Sequence, residues 1–456
     1  MKTTAVILAA GRGKRMRSSL PKVLHPLLGK PMVQYSLDAV GPASNQTPVL
    51  VVGHQAEVVK KAVDDQARYV YQAEQLGTGH AVQQAEKLLE GETDLILVIN
   101  ADMPLVRAKT LQKLVKTQKK HAGPFSLLTL TVDDPRGFGR IIRDEQGNVV
   151  AIVEEREATP EQRAIRELNA AMYCFSADWL WDALGEIELS PKGEYYLTDL
   201  VSIATARGER VKAVQVEDPA ELMGINTRVH LTEAVESLKR RINNHWLRSG
   251  VTIMDPHTTY IEPGVKIGKD TVILPNTHIQ GETKIGKRCL LGPNSLIRSS
   301  TIGNDCEVEA SVVEDAVLED HVDIGPFGHL RKGAHLAEGV HMGNFGEIKQ
   351  SYLGKGTKVG HFSYLGDAKL GEDVNVGAGT ITCNYDGEQK HPTEIGDQVF
   401  LGSDTMLIAP IKIGKRARTG AGAVVNKDIP AETLVVGVPA RAIKSLSKEN
   451  PNGEDQ

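Results

Sequence analysis

The chain has 456 residues, with 53 Lys and Arg against 58 Asp and Glu, so its net charge of −5 favours neither nucleic acid nor an anionic membrane surface. It shows no signal peptide and no apolar run of membrane-spanning length, and the expectation is a soluble, cytoplasmic protein. Cys174, Cys289, Cys306 and Cys383 lack close-paired metal spacing and read as reduced thiols.

From the N-terminus to residue 226, apolar runs of strand length stand at Thr4 to Ala9, Pro48 to Val52, Asp94 to Ile99 and Leu127 to Val132, with helical patterns between some of them. This alternation predicts an α/β domain with a largely parallel sheet. Its first strand empties into Ala9-Ala10-Gly11-Arg12-Gly13-Lys14-Arg15, a glycine loop with three cations, followed by Leu20-Pro21-Lys22. A strand, a glycine loop and cations suggest phosphate binding. The dinucleotide fingerprint is excluded because no third Gly follows Gly13 at the required spacing, and a Walker A loop because Arg15 follows Lys14.

Residues 227–250 predict a linking helix, with Leu231, Val235, Leu238, Ile242 and Trp246 on one side and Lys and Arg on the other. From Ile261 onward an aliphatic residue, usually followed by Gly or a carboxylate, returns about every six residues, as at Ile267, Ile273, Ile279 and Ile285. That period predicts a parallel β-helix over residues 251–456, three short rungs per coil, with Gly and Asn taking the turn dihedrals. Some steps shorten to five, as at Ile297 to Ile302, Val308 to Val313 to Leu318, Ile348 to Leu353 and Leu365 to Leu370, where one corner is read as tighter. Register arithmetic stacks Arg331 on Lys349 one coil apart, as suits a phosphate monoester. It also sets His361 level with Ala378, and the broken rhythm after Thr382 predicts that Asn384 to Thr393 leave the coil as a loop. The tail from Lys448 to Gln456 reads as polar and frayed.

These motifs carry a resemblance. Leu8-Ala9-Ala10-Gly11-Arg12-Gly13-Lys14-Arg15-Met16 with Pro21-Lys22, Gln72-Ala73-Glu74-Gln75-Leu76-Gly77-Thr78-Gly79, and Asn100-Ala101-Asp102 are similar to the signatures of sugar-1-phosphate nucleotidylyltransferases. The repeats resemble left-handed β-helix acyltransferases, and the handedness follows from that likeness. With Gly360-His361-Phe362-Ser363-Tyr364 and Asn375 to Gly387 in order behind them, the whole chain resembles the bifunctional uridylyltransferase and acetyltransferase family. The resemblance implies an enzyme that acetylates glucosamine-1-phosphate from acetyl-CoA and then couples the product to UTP, releasing pyrophosphate and making UDP-N-acetylglucosamine for cell-wall synthesis. It also implies Mg²⁺ and a homotrimer.

The same resemblance implies roles residue by residue. Leu8, Ala9, Ala10, Gly11, Lys22, Gln72, Gly77, Thr78, Gly139, Glu154, Asn169 and Asn226 would hold UTP and N-acetylglucosamine-1-phosphate, with Gln72 toward uracil. Asp102 and Asn226 would hold the metal, Lys22 and Arg15 would neutralise phosphate charge, and Asp102 has a second reading as the cap of the helix after Pro104. In the β-helix His361 would be the general base, oriented by Glu347; imidazole titrates near neutrality and the amine must lose a proton before attack. Arg331, Lys349, Tyr364 and Asn375 would hold glucosamine-1-phosphate. Ala378, Asn384, Tyr385, Ser403, Ala421 and Arg441 would bind acetyl-CoA, and Asn384 and Tyr385 would also hold the sugar phosphate.

Departures from the family pattern are Ala101 and Ala171 in place of Gly, expected to add a methyl near the ligand, and Gly346, Lys332 and the segment Val435 to Arg441 in the second half. Two other readings stay open at this level: a single-activity nucleotidylyltransferase with a structural β-helix, and a non-catalytic regulator that binds sugar nucleotides.

Overall fold

The structure, a computed structural model, describes residues 1–446 except 133, 134, 136 and 156. The expectation for the tail from Lys448 lies outside the described residues. Two compact units are present, Met1–Leu238 and Lys239–Gln456, and the division falls inside the helix Arg228–Arg248. Among the described residues no helix is long and apolar enough to cross a membrane.

In the first unit the apolar runs become β1 (Thr3–Leu8), β2 (Val49–Val52), β3 (Arg68–Tyr71), β4 (Leu95–Asn100) and β5 (Phe125–Thr131). Further along lie β6 (Arg140–Arg143), β7 (Val149–Val153), β8 (Glu167–Ser176) and β9 (Lys212–Gln215). The main sheet order is β9-β5-β8-β4-β1-β2-β3, and β8 runs antiparallel to both neighbours while the other adjacent pairs are parallel. Both sheet faces are covered, so β1, β2 and β4 are buried along nearly their whole length and read as continuous apolar runs. A register shift between Asn169 and Tyr173 interrupts the pairing of β8 with β5, and there Ala171 is held at φ +51°. Such a bulge re-aims side chains at a sheet rim.

In the second unit each strand from Thr252–Ile253 to Met406–Ile408 pairs, in parallel, with the strand three positions later, which builds three faces beginning at Thr252–Ile253, Tyr260–Ile261 and Lys266–Ile267. The repeat aliphatics stack into columns, for example Ile324, Met342, Val359, Val376 and Leu401 on the first face, all nearly inaccessible. Burying each such side chain contributes about 1.5–3 kcal/mol. In the second-face column Thr382 takes an aliphatic place, and its hydroxyl accepts from Gly366 N at 2.8 Å and donates to Gly366 O at 3.1 Å. A hydroxyl there is tolerated because it is paired.

The turns bear out the expectation in part. Gly333, Gly339, Gly356, Gly379, Gly422, Asn276 and Asn294 take left-handed corner positions, but so do Asp270, Arg288, Asp305, His321, Phe327, Phe345 and Phe362. Glycine is also required beside the aliphatic column, where successive coils come close. A Cβ on Gly343 would lie 1.9 Å from Gly360 O, and one on Gly377 would lie 2.6 Å from Leu401 O. The five-residue steps also fall at two corners, since Val308 to Val313 joins the first face to the second while the others join the second to the third. Each carries a left-handed residue, Ser299, Ala310, Asp315, Gln350 or Asp367.

Within this unit the helical residues Ile242 and Trp246 pack on the β-helix core. Lys239 belongs to the basic side of this helix, yet it is not solvated. It is buried, donates to His257 O at 2.8 Å and sits 4.5 Å over the Tyr260 ring. The far end closes with Thr433–Val436 paired antiparallel to Arg441–Ser445.

Candidate active sites

At the carboxyl ends of β1 and β4 a cavity of 460 Å³ opens, lined by Leu8, Ala9, Ala10, Gly11, Lys22, Gln72, Gly77, Thr78, Asp102, Glu154 and Asn169. Its polar end is built around one cation. Lys22 Nζ lies 2.6 Å from Asp102 Oδ2 and 3.2 Å from Asn226 Oδ1, and Arg15 donates to the same Asn226 oxygen at 3.0 Å. Asp102 does not cap the following helix, which begins at Ala108. Two hard oxygens converging on one cation fit Mg²⁺, which takes few protein ligands and completes its shell with phosphate and water. No group of three or more His, Cys, Asp or Glu that could hold a metal occurs among the described residues.

The glycines of this site have local causes. Gly13 is left-handed, and a Cβ on it would lie 2.7 Å from Lys22 Cβ, so the loop can pass the lysine stem only as glycine. Gly77, at φ +103°, would place a Cβ 2.5 Å from Tyr195 O, and Thr78 Oγ1 accepts from Leu197 N at 3.1 Å. Part of the Gln72 to Gly79 motif therefore serves to dock the segment around Tyr195, which brings Glu194, Tyr196, Leu197 and Thr198 into the cavity wall. Gln72 itself is buried, with Nε2 donating to Gly77 O at 3.2 Å and lying 3.1 Å from His80 Nδ1.

At the opposite end Asn169 donates to Tyr173 Oη at 2.7 Å and accepts from Ala171 N at 3.0 Å. Gly139 packs beside Glu154, which accepts from Thr198 at 3.3 Å. Burial raises the Glu154 carboxyl above its ordinary value, against the Thr198 hydrogen bond and with help from Glu157, Asp199 and Glu194. Of the two alanine departures only Ala171 lines the cavity. Ala101 is fully buried in the core below it, so its methyl does not meet the ligand space as expected.

The second site is a set of columns. The corner between the first and second faces presents Pro326, Asn344, His361, Ala378, Ser403 and Ala421 in one register. His361 Nδ1 is hydrogen-bonded to Asn344 Oδ1, which places its proton on Nδ1 and leaves Nε2 as the basic nitrogen. Beyond His361 the column holds only small residues; before it, Phe327, Phe345 and Phe362 stack at 5.2 and 5.1 Å beside the column and stop at Gly379.

The adjoining second face carries Glu347 and Tyr364 in one column and Arg331, Lys349 and Gly366 in another. Glu347 accepts from Arg331 at 2.8 Å, so in this chain it positions the arginine, and Asn344 replaces it as the partner of His361. Gly366 leaves the room in which Tyr364 Oη and Asn384 Nδ2 meet. The loop after Cys383 folds on itself through Asp386, which accepts from Glu388 N, Gln389 N and His391, and Thr393 already belongs to the returning strand. Buried Asn384 anchors the loop on Asp367 at 2.5 Å, while Tyr385 is exposed. The loop delivers Lys390 to Lys349, whose ammonium is held below its usual value first by Lys390 and then by Arg331. Asn375 stands on the first face in register with Lys358 and Phe400, and Arg441 lies exposed on the terminal hairpin.

Residues 4–234 match the nucleotidyl transferase family, residues 264–299 the six-repeat bacterial transferase hexapeptide, and residues 392–427 the hexapeptide repeat of succinyl-transferase. The chain is 44% identical over 447 residues to the bifunctional protein GlmU of Shouchella clausii, covering 98% of both chains. It is 47% identical over 436 residues to that of Heliobacterium modesticaldum, covering 95% of both, and 47% identical over 433 residues to that of Caldanaerobacter subterraneus, covering 95% and 94%.

The chain belongs to the bifunctional GlmU family.

This family joins a UDP-N-acetylglucosamine pyrophosphorylase to a glucosamine-1-phosphate N-acetyltransferase on a left-handed β-helix, and the chain has both halves in that order. The sequence reading did not name Lys390, Asn344, Tyr173 or the Glu194 to Thr198 wall, which the structure brings to the two sites. Lys390 had a signal, being the cation within the loop that breaks the hexapeptide rhythm. Tyr173 and the wall had none, because they arrive through chain crossings far apart in sequence.

Proposed function

We propose that the two sites act in series on one amino sugar, with the residue roles that follow. In the β-helix Arg331, Lys349 and Lys390 bind the phosphate of glucosamine-1-phosphate, and Tyr364, Asn375, Asn384 and Tyr385 hold the sugar. His361 Nε2 removes a proton from the amine, whose nitrogen then forms a bond to the thioester carbonyl carbon as the C–S bond breaks and coenzyme A leaves. Ala378, Ser403 and Ala421 line the carrier channel, Arg441 reaches its phosphates, and a backbone N–H near Ala378 steadies the tetrahedral oxyanion.

In the first unit Gln72, Gly77 and Thr78 frame the uracil, Leu8 to Gly11 follow the nucleotide, and Gly139, Glu154 and Asn169 hold N-acetylglucosamine-1-phosphate. A phosphate oxygen of the sugar forms a bond to the α-phosphorus of UTP as the bond to pyrophosphate breaks, a step that needs positioning and charge neutralisation more than a protein base. Mg²⁺, held by Asp102 and Asn226, supplies part of that neutralisation when bound, and Lys22 and Arg15 supply the rest. A cytoplasmic homotrimer that feeds peptidoglycan and lipopolysaccharide synthesis completes the reading.

The observation that carries the two-activity reading is the His361 column beside the cluster of Arg331, Lys349 and Lys390, for which a scaffold has no use. The test is a pair of assays on the purified chain: thiol release with glucosamine-1-phosphate and acetyl-CoA, and pyrophosphate release with UTP, Mg²⁺ and N-acetylglucosamine-1-phosphate. Both activities are expected. Pyrophosphate release alone would reduce the β-helix to an assembly element.

A further inference from the structure

In the first site the two oxygens assigned to the metal already hold a protein cation. Lys22 Nζ sits between Asp102 Oδ2 and Asn226 Oδ1 at 2.6 and 3.2 Å, with the Arg15 guanidinium on the same amide oxygen. A divalent ion bound there would sit at roughly 2.0–2.1 Å from those oxygens, so ion and ammonium cannot share the position. The lysine is also shielded, with its side chain 14% exposed and that of Asp102 22%, and like charges repel more strongly where water is partly excluded.

The stem of Lys22 is crowded at its base. Its Cβ lies close enough to the Gly13 backbone that any side chain at Gly13 would collide with it. Lys22 lines the open cavity together with Gly11. The reachable alternative partner for the ammonium is therefore an anion in that cavity.

We propose that Lys22 is the resident counter-ion of the metal site, exchanged for the divalent cation when a triphosphate enters. The ammonium leaves Asp102 for a phosphate oxygen, and the metal takes the vacated oxygens. Without the triphosphate, metal entry must expel Lys22 with no anion to receive it; with the triphosphate, each arrival lowers the cost of the other. Metal and nucleotide then bind with positive coupling, which thermodynamic reciprocity makes equal in both directions. The proposal rests on the uridylyl reading of this site and adds to it an exchange of cations on Asp102.

The experiment titrates Mn²⁺, read by electron paramagnetic resonance, into the full-length chain without nucleotide. Lys22→Met should bind Mn²⁺ roughly tenfold more tightly than wild type, a change within the usual range of such couplings. Lys22→Arg, which keeps the charge, should stay with wild type. Adding Asp102→Asn to Lys22→Met should abolish the gain. Equal Mn²⁺ affinity in Lys22→Met and wild type would overturn the exchange while leaving the site reading intact. A gain that survives Asp102→Asn would overturn both, since the ion would then be bound elsewhere.

Discussion

The two active regions are assembled by opposite means. In the β-helix, residues 331–390 reach one face and one corner because each coil returns the chain to the same place, so a spacing in sequence is a position in space. In the α/β unit, Lys22, Asp102 and Asn226 meet from segments far apart in sequence, and the meeting depends on the order of strands in the sheet. The difference teaches that a solenoid site can be located by counting, while a sheet site must be located by motif or by structure.

The sharpest way to break the comparison is to disable one region and read both. His361→Ala should cut thiol release by roughly 10²–10⁴-fold and leave pyrophosphate release unchanged; equal loss of both would end the two-site reading. Asp102→Ala should cut Mg²⁺-dependent pyrophosphate release by roughly 10²–10³-fold while acetyl transfer persists. An unchanged rate would remove Asp102 from the metal position.

A stability change should sharpen the contrast between coil and sheet. Gly343→Ala places a methyl against Gly360 O and should destabilise the β-helix by about 1–3 kcal/mol, read as a lower midpoint in denaturant unfolding. Gly11→Ala meets nothing within 4 Å and should leave that midpoint unchanged. If both behave alike, close coil contact is not what selects glycine. Lys390→Ala should raise KM for glucosamine-1-phosphate by roughly tenfold with little change in KM for acetyl-CoA, as expected for losing one charge-assisted contact. A change confined to acetyl-CoA would move Lys390 out of the phosphate subsite.

The smallest effect concerns pH. Burial raises the Glu154 carboxyl in the folded state, so its proton is bound more tightly there than in the unfolded chain. That contribution to stability is fully present below the unfolded value of 4.5 and is lost as pH rises through the folded value. Above it the shielded carboxylate is a cost, which Gln removes. Glu154→Gln should therefore raise Tm over wild type at pH 8 and show little or no rise at pH 4; the reverse order would contradict the burial argument.

Legibility followed the same divide. The hexapeptide period foretold the faces, the alignment of His361 with Ala378, the stacking of Arg331 on Lys349 and the loop after Thr382. It foresaw glycine in some turns, as at Gly339 and Gly356, but not beside the aliphatic column, because close approach between coils is a distance across the solenoid that no single turn reveals. It also gave His361 the wrong partner: Glu347 lies on the next face, where Arg331 claims it, and Asn344 precedes His361 in its own column. In the first unit the loop of Gly11 and Gly13, with Lys22 and Asp102, was legible as motif. The bulge at Ala171, the antiparallel β8 and the Tyr195 crossing were not.

By itself the sequence determined the two fold classes, the family and the residue types of both sites, because periodicity and short motifs are local records of burial and backbone conformation. Only the tertiary structure decided which cation stands on Asp102, which loop residue stands beside Lys349 and which alanine meets the cavity. Those depend on distances between segments tens to hundreds of residues apart, set by how β-strands order themselves and how closely coils can stack.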